Sequence, residues 1–99
     1  MKTHRATVTW LSSEEGGRSE IPNGKRYMTI AKFPSDSTDW PNGAWTVVLD
    51  FDRPPSELGN PSIGTARFLM DTAPEAELRS GATFELYEGL RKVAIVSLS

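Results

Sequence analysis

Hydrophobic and polar residues alternate with a period of two over much of this chain. In the segment Arg5–Leu11, for example, Ala6, Val8 and Trp10 fall on one side and polar residues fall on the other. Such alternation is typical of a β-strand with one buried face. Six segments qualify as strands: Arg5–Leu11, Lys25–Phe33, Ala44–Phe51, Thr65–Met70, Thr83–Tyr87 and Lys92–Leu98.

In four of the six segments the alternation also predicts which residues face the core. These residues are Ala6, Val8, Trp10, Trp45, Val47, Leu49, Phe51, Ala66, Phe68, Met70, Phe84 and Leu86. The segments Lys25–Phe33 and Lys92–Leu98 are rich in β-branched and aromatic residues but alternate less cleanly. Their orientation therefore stays open.

Turn-forming residues separate the predicted strands. Asn23-Gly24 and Asn42-Gly43 are residue pairs that tolerate the positive φ angles of tight turns. The stretch Asp52–Ile63 contains three prolines and no periodicity, which predicts a long loop.

One segment, Thr72–Gly81, is predicted to be helical over one or two turns. Pro74 suits a first helical turn, acidic residues follow it, and Gly81 suits a C-terminal stop. Six short strands and one short helical turn predict an all-β protein with a single domain over residues 1–99. The strand number and spacing favour a small barrel or a sandwich.

Composition excludes several classes of protein. The 99 residues include no cysteine, so disulfides and thiolate metal sites are impossible. Eleven basic and thirteen acidic residues give a net charge of −2, which lacks the positive bias of a dedicated nucleic-acid binder. The sequence predicts neither a secretory signal nor a transmembrane helix. We therefore expect a cytoplasmic protein that binds neither membranes nor DNA.

Two similar turns, Glu15-Gly16-Gly17-Arg18 and Glu88-Gly89-Leu90-Arg91, lie near the two ends of the chain. Together with their flanking segments, Trp10–Tyr27 and Gly81–Ala94, they resemble the first and last hairpins of the C-terminal β-barrel of elongation factor Tu. The resemblance covers about half of the chain. It implies a six-stranded antiparallel β-barrel and a translation-related role.

The chain departs from the family pattern at several places. Leu90 replaces the second glycine of the last turn, and Ala94-Ile95 replaces a glycine-containing step in the last strand. The central region, residues 34–61, does not match in detail. No phosphate-binding Gly-x-x-x-x-Gly-Lys-Ser/Thr loop occurs, so the resemblance implies a barrel without GTPase activity.

The resemblance also supplies candidate contact residues. In the family, this barrel contacts the backbone of the T stem of tRNA, partly through its last Glu-Gly turn. That role would transfer to Glu88 and Gly89, with Arg18 as a further candidate. Lys25, Arg26, Arg91 and Lys92 could add a phosphate-binding patch. The alternative is that the glycines only permit tight turns and the arginines brace the loops among acidic neighbours.

No set of catalytic or metal-binding residues emerges from the sequence. His4 is the only histidine, and no Gly-x-Ser-x-Gly nucleophile motif accompanies it, so we interpret it as a surface residue. Asp50 and Asp52 are spaced to share a strand face but are interpreted as ordinary charges at a strand end. Trp40 lies in a polar loop, where it either covers one end of the barrel or contacts a partner.

The chain is therefore predicted to be a non-enzymatic binding module without cofactor or metal. Its most favoured partner is a protein, docked through loops 34–43 and 52–63 and one rim of the barrel. The alternative partner is RNA of the tRNA type, bound at the face that carries Arg18, Glu88 and Gly89.

Overall fold

The computed structural model describes residues 2–99, which form six strands, one short α-helix and two single turns of 3-10 helix. The strands are β1 (His4–Trp10), β2 (Arg26–Lys32), β3 (Trp45–Asp50), β4 (Ser62–Phe68), β5 (Thr83–Glu88) and β6 (Arg91–Leu98). The helix α1 spans Pro55–Leu58, and the 3-10 turns span Ser13–Glu15 and Glu75–Glu77.

The six strands form a closed barrel in the order β1-β4-β3-β2-β5-β6. Every neighbouring pair is antiparallel. The predicted six-stranded antiparallel barrel is thus confirmed. Closure removes the exposed sheet edges at which strands of other chains could add, so a partner must bind to the outer faces, the loops or the ends.

The barrel interior contains the residues that the alternation pattern assigned to it, with one exception. Phe33, Phe68 and Phe84 form an aromatic cluster, in which the Phe33 ring centroid lies 4.8 Å from Phe84 and 5.7 Å from Phe68. The exception is Met70, which follows the end of β4 and is 52% exposed. Its predicted place in the core is wrong because the chain leaves the barrel wall after Leu69, whose N–H donates the last hydrogen bond to β3, at the Thr46 carbonyl.

A β-bulge explains the irregular pattern of β6. Leu86 pairs with Ala94 but Tyr87 pairs with Lys92, so Val93 is the extra residue. Val93 and Ala94 are consequently both buried, although they are adjacent in sequence. The strict alternation of a regular strand is lost at this point.

The irregular pattern of β2 has a different cause, because this strand is apolar on both sides. Tyr27 and Ala31 pack against the core. Met28 and Ile30 alternate with these inward positions and point to the outside of the barrel, and Met28 is 53% exposed. The outward side of β2 is therefore part of an apolar surface.

The helical prediction was misplaced. The α-helix lies in the segment that was predicted to be a loop, where Pro55 starts it and Gly59, at φ +93°, follows it. The loop also ends earlier than predicted, because β4 begins at Ser62. Within 72–81 only the Glu75–Glu77 turn forms, because the next residue, Leu78, is buried in an extended conformation.

The two Asn-Gly pairs also differ. Gly43 has φ +75°, as predicted for a tight turn, whereas Gly24 lies outside the left-handed region.

Candidate functional site

The two Glu-Gly turns lie together at one end of the barrel, although they are far apart in sequence. Arg18, from the first turn, forms an ion pair with the carboxylate of Glu88, from the second turn. The Tyr27 hydroxyl donates a hydrogen bond to the same carboxylate. The Arg18 guanidinium also lies over the Tyr27 ring, 5.6 Å from its centroid. These three residues connect the first turn, β2 and the last hairpin.

The electrostatics of this cluster stabilise a charged Glu88 and a neutral Tyr27. Desolvation raises the pKa of Glu88, but the hydrogen bonds from Tyr27 and Arg18 and the charges of Arg18 and Arg91 outweigh it, so the net pKa is lowered. Burial, followed by the hydrogen bond to Glu88, raises the pKa of Tyr27 strongly. The carboxylate therefore neutralises the Arg18 charge at neutral pH.

The other cations predicted near these turns are divided between paired and unpaired side chains. Arg26 pairs with Asp50 at 2.7 Å, and Lys92 Nζ lies 2.7 Å from a carboxylate oxygen of Glu85. Lys25 and Arg91 have no carboxylate within 4.0 Å among residues 2–99. The turns are therefore lined by ion pairs with two free cations rather than by a continuous basic patch.

Gly89 has a left-handed backbone conformation at the last turn. Its φ is +62°, Glu88 pairs with Arg91 across the hairpin, and Leu90 stands 79% exposed at the tip. A positive φ at the first of two central residues matches a type II′ hairpin turn, which favours glycine there. Leu90 can replace the family's second glycine because its own φ is not positive.

Trp40 lies apart from the other candidate residues, on the outer side of the barrel wall. Its indole Nε1 donates a hydrogen bond of 3.0 Å to the Ala31 carbonyl. Its ring centroid lies 4.5 Å from that of Tyr87, and Lys32 Nζ lies 5.4 Å from the ring. The half-buried ring thus covers part of the β2–β5 wall rather than an end of the barrel.

Two residues considered for catalysis, Asp50 and His4, lie in different surroundings. Asp50 is engaged by Arg26. His4 was predicted to be a surface residue but is half-buried, and its Nε2 is buried without a hydrogen-bond partner among residues 2–99. It lies in a groove of about 750 Å³ whose lining side chains include Asp71, Glu75 and Arg79 and offer no hydroxyl or thiol. Within residues 2–99 no group of three His, Cys, Asp or Glu side chains could hold a metal ion.

Sequence reasoning missed a surface on the outside of the barrel, which we name the β4–β3–β2 face. Two rows of outward side chains cross these strands, as the strand register shows. Arg67, Val48 and Met28 form one row, and Leu69, Thr46 and Ile30 form the next. Four of these six residues are aliphatic.

Val48 shows how apolar the β4–β3–β2 face is. Although its side chain points away from the barrel interior, none of it is exposed, because Met28 and Arg67 flank it on the neighbouring strands. Met28 and Leu69 remain 53% and 43% exposed. The signal in the sequence was the loss of alternation in Lys25–Phe33 and the adjacent Val47-Val48, since a strand with apolar residues on both sides does not alternate.

Comparisons with known proteins give no further guidance on function. Over the described part of the chain, no helix is long and apolar enough to cross a membrane. No family model matches the sequence, and no curated protein matches it. A function must therefore be argued from the surfaces described above.

Proposed function

We propose that this chain is a non-enzymatic binding module that docks a protein partner on its β4–β3–β2 face. The observation that carries the proposal is the pair of exposed side chains, Met28 and Leu69, beside the outward-facing but fully covered Val48. An antiparallel sheet that faces water normally carries polar residues on that side. Exposed apolar side chains that lie on one face of a sheet are candidates for a site of interaction.

The side chains of this surface suit a protein partner. Methionine is flexible and polarisable, so Met28 can adapt to the shape of an opposing surface. Thr46 is a β-branched residue within a hydrogen-bonded sheet, so little conformational entropy is lost when a partner covers it, and the neighbouring Val48 is already held in place. A rigid wall with adaptable side chains at its centre is favourable for docking.

The proposal places the main contacts on the sheet rather than on the predicted loops. Loop 34–43 is held against the barrel wall by Trp40, and loop 52–61 contains α1. A relationship to the elongation factor Tu barrel, a translation-related role and a cytoplasmic location belong to the same proposal. Their support is the pairing of the two Glu-Gly turns in a six-stranded antiparallel barrel.

RNA binding at the Glu-Gly turns stays the alternative prediction. Lys25 and Arg91 would supply its free charges, whereas Arg18 and Arg26 would first have to leave their carboxylate partners. A fluorescence titration with tRNA at two salt concentrations tests it, because binding through phosphates weakens steeply with salt. Absence of binding at low salt would rule it out.

Affinity capture from native lysate, followed by quantitative mass spectrometry, tests docking on the β4–β3–β2 face. The tagged wild type is compared with the double variant Met28→Glu/Leu69→Glu and with Thr9→Glu, a matched control at an exposed outward position of β1. We expect specific partners to be retained by the control and reduced about tenfold or more by the double variant. Equal capture by all three folded proteins would contradict the proposal.

A further inference from the structure

The charges around the β4–β3–β2 face indicate the chemistry of its partner. Outward positions of β1, β4, β3 and β2 carry four cations, which are Arg5, Arg26, Lys32 and Arg67. The one carboxylate among the same described positions is Asp50, which is paired with Arg26. These outward strand positions are therefore positive by three charges, although the whole chain has a net charge of −2. Lys32 contributes least to this excess, because Glu85 of β5 lies opposite it.

Arg67 is the cation closest to the apolar centre. It lies in the same cross-strand row as Val48 and Met28 and is half-buried. Within residues 2–99 its guanidinium forms no ion pair, and its one hydrogen bond is a long contact of 3.5 Å to the Phe68 carbonyl. An arginine held among aliphatic side chains can form a bidentate pair with a carboxylate that arrives with a partner.

We propose that the occupant of the β4–β3–β2 face is an acidic protein segment in which aliphatic side chains alternate with carboxylates. Its aliphatic residues cover Met28 and Leu69, on either side of the already covered Val48, and one carboxylate binds Arg67. This inference rests on the proposed function and specifies its ligand. Displacing water from around Arg67 strengthens the ion pair, which makes the pair a determinant of specificity.

The face suits a protein segment better than the two other anionic macromolecular surfaces. Sites for single-stranded nucleic acid combine positive charge with aromatic rings on which bases stack. Surfaces that enter a membrane interface are likewise enriched in Trp and Tyr. The two rows of the face contain neither. The outward rings of the adjoining β2–β5 wall, Trp40 and Tyr87, pack against each other rather than standing free for a base or a lipid.

Peptide selection on the full chain tests the inference. A phage-displayed library of random dodecapeptides is selected on immobilised wild type and on Arg67→Glu, and enriched peptides are then synthesised for titration. Wild type should enrich peptides that combine Asp or Glu with Leu, Ile or Val. The Arg67→Glu variant should enrich Lys or Arg in place of the acids and should bind the wild-type peptides about tenfold or more weakly.

Three outcomes separate failure of this inference from failure of the proposed function. Selected peptides could lack acidic residues, bind Arg67→Glu as tightly as wild type, and fail to bind Met28→Glu/Leu69→Glu. That result would overturn the inference but still support docking on the β4–β3–β2 face. Peptides unaffected by either variant would overturn both. Displacement of a wild-type peptide by tRNA or by phosphatidylserine vesicles, with no acidic peptide selected, would assign the face to another ligand class.

Discussion

The Glu88 carboxylate connects the two Glu-Gly turns. The stability that is lost when its charge is removed should depend on pH. Its carboxylate accepts hydrogen bonds from Arg18 and Tyr27, and its pKa in the folded protein is lowered. We expect Glu88→Gln to reduce the free energy of unfolding by about 1 kcal/mol at pH 7, a modest value because both charged side chains are about one-third exposed. Chemical denaturation measures this difference.

Repeating the denaturation over a range of pH tests whether the stability difference comes from the Glu88 charge. A carboxylate with a lowered folded-state pKa contributes stability above its unfolded value of about 4.3 and loses it as the pH falls through the lower, folded value. The gap between wild type and Glu88→Gln should therefore be fully present at pH 7 and should shrink as the pH falls below about 4.3 toward the lowered folded-state pKa. Glu20→Gln is the matched control, since the Glu20 side chain is exposed and forms none of the ion pairs among residues 2–99. A gap independent of pH would mean that the Glu88 charge does not matter.

At the scale of elements, the last hairpin depends on the backbone of Gly89. A Cβ atom at this position would meet no atom within 4 Å, so substitution costs only the strain of a positive φ. We expect Gly89→Val to lose about 1–2 kcal/mol, which lowers the Tm of a domain of this size by roughly 4–16 °C.

Gly24→Val provides the control for this substitution, because Gly24 lies outside the left-handed region and its Cβ would meet only a carbonyl oxygen at 3.8 Å. Differential scanning calorimetry compares the two variants with wild type. If Gly89→Val melted within a degree or two of wild type, the assigned turn geometry would be wrong.

Individual elements show which parts of the fold a sequence pattern can predict. Every strand except β4 was predicted within one residue at each end. This includes β2 and β6, whose alternation is irregular but which are rich in β-branched and aromatic residues. α1 was missed because its one turn is stabilised by Pro55 and by contacts with the rest of the fold, such as the hydrogen bond from Ser56 N–H to the Pro22 carbonyl. A four-residue helix has no periodicity of its own to detect.

The whole molecule determines which residues form the candidate sites. The sequence identified Arg18 and Glu88 separately, but only barrel closure places them in contact across 70 positions of sequence. The β4–β3–β2 face was not predicted at all, because its rows combine residues from three strands whose register depends on tertiary pairing. A local alternation pattern contains no information on that register.

The shortest strand pairing in the barrel is that of β2 with β5, which we name the β2–β5 seam. These strands pair over only three residue pairs, Ile30–Lys32 with Glu85–Tyr87, whereas β5 and β6 pair over six. Next to the last paired residue, Ile30, the Thr29 side chain adds a contact across the seam, because its hydroxyl donates a hydrogen bond to the Tyr87 carbonyl. We expect the amides that join β2 and β5 to exchange hydrogen fastest among the strand pairs.

Removing one bridging hydrogen bond should therefore open the seam without unfolding the barrel. Thr29→Val keeps the side-chain shape and deletes the donor, so we expect exchange at the β2–β5 amides to accelerate about fivefold, corresponding to the loss of about 1 kcal/mol. Amides between β1 and β6 should change much less, and Thr9→Val, on the exposed side of β1, should leave the seam unaltered. NMR-detected native-state exchange resolves these sites. Uniform acceleration in all strands would instead show that the barrel opens as one unit, because the seam would then have no local stability of its own.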